Sequence, residues 1–308
     1  MDKVKVAIVQ AKPVFLNLKA SLEKVEDFAR KASKEGAKLI VFGETWLPGY
    51  PAWLDFCPQM GFWDHEPTKE VFAKTFENSL EVPGPATQKL GQIAKELEVS
   101  IVIGVNEKVK TGTCYNSLLI FGPDGGLRNH HRKLMPTYTE KLMHNRGDAA
   151  GLKTVDLPFG KLGGLICWEH WMPHNRQALH DMGEHIHIAL WPKVHEMHQV
   201  ASRQYAFEGR CFVLAAGQLL QAKDIPSELE LPEHLKENPE QFVLNGGSCI
   251  IGPNGFYIEE PLWDKESLIF AELDLRETIK EKMNLDVSGH YSRPDVFNFT
   301  VNRERKND

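Results

Sequence analysis

The chain has 308 residues, 42% of them hydrophobic and 25% charged, a globular balance with ample material for a buried core. A formal net charge of -6 and a pI near 6.1, with Lys and Arg scattered along the chain, exclude the basic footprint of a nucleic-acid binder and do not favour a purely anionic substrate. The longest apolar run, 211–222, is too short to cross a bilayer, and the N-terminal MDKVKVAIVQAK lacks the apolar stretch and cleavage site of a signal peptide, so the expectation is a cytoplasmic protein with no membrane partner.

The first apolar run, 4–9, reads as a strand, and 39–42, 101–105, 118–121, 162–166, 186–191, 211–216, 248–251 and 268–273 repeat its character. All are short, nearly continuous and rich in Val and Ile, as strands buried on both faces are. After the first run, Leu18, Leu22, Val25, Ala29 and Ala32 step by four and three behind Asn17, which predicts a capped helix ending at Gly36. Leu90, Ile93, Ala94 and Leu97 form a second helical stripe, and 200–207 reads as a third. Such alternation calls for an α/β fold. Two hairpins interrupt it, one in each half: FGPDGGL (121–127) and IGPNGFY (251–257) place a Pro-Asp-Gly or Pro-Asn-Gly turn between apolar segments. That repetition predicts two similar sheets packed face to face with helices outside, an α-β-β-α sandwich in one domain spanning 1–308, rather than a generic doubly wound sheet. The acidic, proline-containing segment 224–241 reads as a surface insertion. The polar tail 289–308 carries Tyr291, Phe297 and Phe299 and is expected to dock.

Five cysteines, Cys57, Cys114, Cys167, Cys211 and Cys249, form no CxxC pair, which argues against a disulfide framework or a cysteine zinc site. Cys167, in GLICWEHW (164–171), closes an apolar strand where open α/β sheets place their ligand sites, and backbone amides after such a turn can donate to an anionic intermediate. It is a candidate nucleophile if a neighbour removes its proton. Glu44, in LIVFGETWLPGYP (39–51), also closes a strand. Flanked by Trp46 and Tyr50, it would be partly desolvated, with the raised pKa that suits a general base; alone it reads as a solvated loop residue. Lys133, in HHRKLMPTYTEK (130–141), offers a fixed cation for developing negative charge and for holding a thiolate; alone it belongs to a basic surface turn. His195 and His198 could share a helix face, but there is no HExxH pattern and no completing ligand, so no metal and no cofactor are expected.

Glutamate, lysine and cysteine in this order resemble the nitrilase superfamily of carbon-nitrogen hydrolases, and the resemblance runs from the first strand to SGHYSRPDVF (288–297). It implies the α-β-β-α sandwich, with Glu44 as general base, Lys133 as catalytic lysine, Cys167 as nucleophile and Glu140 as a second glutamate orienting the lysine and substrate. CWEHWMP, GYPAWL (49–54) and WPKVHEMHQVASRQYAFEGRCFV (191–213) resemble the true nitrilase branch. The resemblance therefore implies conversion of a small organic nitrile to a carboxylic acid and ammonia through thioimidate and thioester intermediates. An amide or carbamoyl substrate is the alternative, and a non-catalytic protein on the same scaffold a remote one. Tyr50, Trp53, Trp168 and Trp191 lie near these motifs and are candidate substrate-binding residues. A homodimer or higher homo-oligomer is further implied, burying apolar surface near 211–220 and the tail. Some members form filaments through a longer C-terminal extension; this chain ends soon after RPDVF, which argues against filaments.

Overall fold

The computed structural model describes residues 3–306. In chain order its strands are β1 (Lys3–Gln10), β2 (Leu39–Phe42), β3 (Ser100–Lys108), β4 (Cys114–Phe121), β5 (Leu127–Arg132), β6 (Val155–Leu157), β7 (Gly160–Ile166), β8 (Ile186–Leu190), β9 (Phe212–Ala216), β10 (Leu219–Gln221), β11 (Phe242–Ile251), β12 (Tyr257–Trp263) and β13 (Ser267–Asp274). The helices are α1 (Leu18–Lys34), α2 (Trp53–Phe56), α3 (Glu66–Asn78), α4 (Pro85–Leu97), α5 (Pro173–His180), α6 (Glu196–Gly209), α7 (Glu233–Lys236) and α8 (Arg276–Glu281). One sheet has the order β13-β1-β2-β3-β4-β5; the other runs β10-β11-β9-β8-β7-β6, with β12 paired to β11. Both predicted hairpins are present, joining β4 to β5 and β11 to β12.

Period-two alternation explains why the strands read as unbroken apolar runs. Along β1, Val6 and Ile8 enter a core shared with Leu165, Ile188 and Leu214 of the other sheet. Ala7 and Val9 face the opposite way, into a cluster with Val25 and Ala29 of α1 and Leu90 and Ile93 of α4. On the far side of the second sheet, α5 and α6 pack through Leu179, Tyr205 and Ala206. The predicted four layers are therefore present. Burying each such Leu, Ile or Val contributes about 1.5–3 kcal/mol. Helix α1 begins as expected: Asn17 accepts the backbone N–H of Ala20 at 3.0 Å. It stops at Glu35, before Gly36 turns the chain at φ +88°. No helix among the described residues is long and apolar enough to cross a membrane.

Two expectations change and two are sharpened. The 200–207 stripe is not the buried face of α6: Val200 and Phe207 are exposed, whereas His198, Gln199, Ser202 and Tyr205 turn inward. Segment 211–220 offers no surface to a partner, because β9 is a central strand whose side chains are already buried. The insertion 224–241 is anchored by its few apolar residues, since Ile225, Leu229 and Leu235 join an apolar cluster with Trp53 and Leu54. The tail docks on its own chain: Val301 packs on the inter-sheet core, Arg303 donates to the carbonyl of Leu152 at 2.9 Å, and Arg305 pairs with Asp148 at 3.2 Å. Tyr291 and Phe297 remain exposed.

Candidate active site

Three strand ends and a 3-10 turn meet on one edge of the sandwich. Glu44 follows β2 in a loop seated directly on β3. Gly104 permits that approach, since a Cβ there would collide with the Gly43 carbonyl oxygen. Gln218 donates to the backbone carbonyl of Glu44, holding it from the second sheet. Lys133 follows β5, with its N–H bonded to the carbonyl of Asn116 at 2.8 Å. Glu140 lies in a 3-10 turn, Tyr138–Leu142, and accepts the N–H of Thr137 at 2.9 Å. Cys167 follows β7, which runs parallel to β8, and opens the 3-10 turn Cys167–Trp171. Its φ of +52° is rare for a residue with a Cβ, and such strain persists only where the surroundings impose it.

The side chains form one buried cluster. Lys133 Nζ donates to Glu44 Oε1 at 2.8 Å and to Glu140 Oε1 and Oε2 at 2.9 and 2.8 Å. Asn116 donates to Glu44 Oε1 at 2.7 Å, and the Tyr50 hydroxyl donates to Glu140 Oε1 at 2.9 Å. One ammonium thus sits between two carboxylates away from water, and the carboxylates differ in what else they receive. Glu140 takes further donors from Tyr50 and Thr137. Burial pushes its carboxyl up, but Lys133, with help from His144, outweighs that and holds it below the usual range. Glu44 Oε2 has no hydrogen-bond partner among the described residues. Burial, reinforced by Glu140 and opposed by Lys133, raises Glu44 to about 7. Lys133 is held above its ordinary range: burial pulls it down, but Glu140, Glu44 and Cys167 together prevail.

Burial, then the charge of Glu44, pushes the Cys167 thiol well up; Lys133 and the backbone N–H of Trp168 only partly oppose them. At rest Cys167 is therefore a thiol, rather than a thiolate held by Lys133, beside a carboxylate able to take its proton. Cys167 lines a cavity of about 260 Å³ together with Tyr50, Glu140 and Trp168, the last half-exposed.

Trp53 and Trp191 do not line this cavity. Trp53 packs edge-on to Phe15 at 5.6 Å and borders a separate, apolar cavity of about 250 Å³ with Met60 and Phe72. Trp191 is fully buried, stacked between His170 at 4.7 Å and His198 at 4.3 Å. Lys193 and His198 do line the site, although sequence reasoning assigned them no part in it. Asn116 was also missed; its signal was a polar residue inside an apolar, fully buried strand. No group of three His, Cys, Asp or Glu among the described residues is arranged to hold a metal ion.

Glu169, wholly buried, ties two of these segments together. It accepts the N–H of Leu134 and the N–H of Ile166, each at 2.8 Å, and faces His131 Nε2 at 2.9 Å. The backbone beside Lys133 is thereby fixed to the backbone before Cys167. Glu169→Ala strands a buried amide, a half-buried amide and a buried histidine, so the expected loss of unfolding free energy is about 3 kcal/mol or more. Denaturant unfolding checks this, and an unchanged midpoint would contradict it.

The chain belongs to the carbon-nitrogen hydrolase family, whose model matches residues 5–282. It is 38% identical over 307 residues to Nitrilase 2 from an unknown prokaryotic organism, covering 99% of this chain and 94% of that protein. It is 37% identical over 306 residues to the aliphatic nitrilase of Sinorhizobium fredii strain HH103, covering 99% and 98%. In fold it matches the crystal structure of the carbon-nitrogen hydrolase from Helicobacter pylori G27, with a TM-score of 0.73 at 20% identity over 96% of this chain and 97% of that one.

Proposed function

We propose that the protein is a nitrilase in which Cys167 attacks, Glu44 acts as general base, Lys133 stabilises developing charge and Glu140 orients Lys133. The observation that carries this reading is the free Oε2 of buried Glu44 within the same electrostatic cluster as Cys167 and Lys133. Glu44 accepts the thiol proton as the sulfur adds to the nitrile carbon. The proton passes to the nitrogen, giving a neutral thioimidate. Water, deprotonated by Glu44, adds to the same carbon; Glu44 returns that proton to the nitrogen, the proton of the new hydroxyl follows it as the carbonyl forms, and ammonia leaves a thioester. A second water cleaves the carbon–sulfur bond, releasing the carboxylic acid and restoring the thiol. Each step uses groups of this chain, and Glu44 returns to its starting state. Tyr50 and Trp168 border the substrate, and a cavity of about 260 Å³ suits a small organic nitrile. Ammonia release from a panel of nitriles beside their matched amides tests the reading: nitriles are expected to be hydrolysed, and activity confined to amides would overturn it.

One domain accounts for the whole chain, because a single buried cluster draws on both sheets. Five unpaired cysteines support a reducing, cytoplasmic setting. Exposed Met197, Val200 and Phe207 along α6 and exposed Phe297 in the tail support association of like chains. The expected sedimentation result is a species of at least twice 34.9 kDa, and a lone 34.9 kDa species at micromolar concentration would refute it.

A further inference from the structure

Behind the nucleophile runs a line of buried polar side chains that the steps above do not use. The carbonyl of Cys167 accepts from His170 Nδ1 at 2.7 Å. His170 Nε2 lies 2.9 Å from His187 Nε2, and His187 Nδ1 lies 3.0 Å from Glu184 Oε2. The Tyr205 hydroxyl closes the line by donating to Glu184 Oε1. All four side chains are buried, and the His170 ring is clamped by its stack on Trp191.

The line ends in a carbonyl on one side and a carboxylate on the other, and both accept. Its three bonds between those ends need three protons, whereas two neutral imidazoles bring two. Wherever the third proton sits, a carbonyl can only accept, so His170 Nδ1 donates to Cys167 in every arrangement. Burial and the neighbouring His187 hold His170 well below its ordinary range, so its one proton stays on Nδ1 and its Nε2 is left to accept. His187 Nε2 then donates to His170 Nε2 and fixes the tautomer.

The carbonyl of Cys167 and the N–H of Trp168 belong to one planar peptide and point in opposite directions. Holding the first away from the cavity aims the second at the sulfur. We propose that His170, with its tautomer set by His187 and Glu184, is a positioning residue that latches the Cys167–Trp168 peptide so that the Trp168 N–H faces the charge developing beside the sulfur. This rests on the assignment of Cys167 as nucleophile.

The test compares His170→Leu, His170→Asn and Cys167→Ala as purified full chains, on the best substrate of the nitrile and amide panel. Asparagine sets an N–H close to where Nδ1 stands; leucine does not. Losing one aimed donor costs about 10²- to 10³-fold in kcat elsewhere. The expected result for His170→Leu is a fall of about 30-fold or more in kcat with little change in KM, and for His170→Asn a kcat within about threefold of the parent. An unchanged kcat in His170→Leu, or an equal loss in both His170 variants, overturns the latch. Should His170→Leu fail to fold, nitrogen NMR of the unaltered chain decides: a neutral His170 protonated at Nδ1 is expected, and one protonated only at Nε2 overturns it. Retained turnover in Cys167→Ala sinks the nucleophile assignment instead, which keeps the two failures apart.

Discussion

Cys167→Ala is expected to lower kcat/KM by on the order of 10⁴-fold or more, because no other group in the cluster can carry the covalent intermediate. A depressed pKa does not distinguish this thiol. All five cysteines are buried and unpaired. Burial pushes Cys57 up to about 11 and Cys114 up to about 12, and Cys211 and Cys249 rise as well. What sets Cys167 apart is position: it borders the cavity, receives the Trp168 N–H, and shares its electrostatic surroundings with Glu44. Proton transfer to Glu44 during attack removes the need for a standing thiolate. Mild alkylation followed by peptide mapping is therefore expected to mark Cys167 first and to be slowed by substrate. Even labelling of the five thiols, or full turnover in Cys167→Ala, would contradict the assignment.

Much of this geometry was legible in the sequence for physical reasons. Strands buried on both faces are apolar at nearly every position, so β1, β2, β7, β8 and β9 stand out as runs. A turn needing Gly after Asp or Asn announces its hairpin. Glu44, Lys133 and Cys167 could be nominated because charged or reactive residues beside strands contrast with those runs; their order Glu, Lys, Cys carried the family resemblance, and only that resemblance pointed to Glu140. Nothing local, however, tells a side chain which way to point. Trp53 sits near the GYP turn yet rotates onto Phe15, and Trp191 follows β8 yet is sealed beneath His170 and His198. Partners far apart in the chain were equally invisible. Asn116 and Glu44 are 72 residues apart, and Glu169 and Leu134 are 35 apart. Ile225, Leu229 and Leu235 stand singly among polar and charged neighbours, so only tertiary packing reveals that they anchor their segment.

Glu44→Gln separates base catalysis from charge placement, and its pH dependence has a definite sign. Glutamine keeps the size and can still accept from Lys133 and Asn116, but it cannot take the thiol proton. The expected loss is about 10²- to 10⁴-fold in kcat, the range for a positioned general base. Of the two carboxylates around Lys133, Glu44 is the one available as base, because Glu140 is saturated by Lys133, Tyr50 and Thr137 and held low. With Glu44 raised to about 7, the base form predominates only above that pH. In the parent, kcat/KM should therefore fall as pH drops through about 7, approaching tenfold per pH unit on the acidic side, and the limb should vanish from the residual activity of Glu44→Gln. Stability carries the opposite sign. The folded value lies above the ordinary 4.5, so the contribution of protonated Glu44 is fully present below about 4.5 and is lost as pH rises through about 7. The substituted glutamine never ionises, so the Glu44→Gln variant should gain stability relative to the parent between about pH 5 and pH 8, as read from paired denaturant midpoints. A parent profile flat through about pH 7, or an acidic limb that survives Glu44→Gln, would assign the base elsewhere.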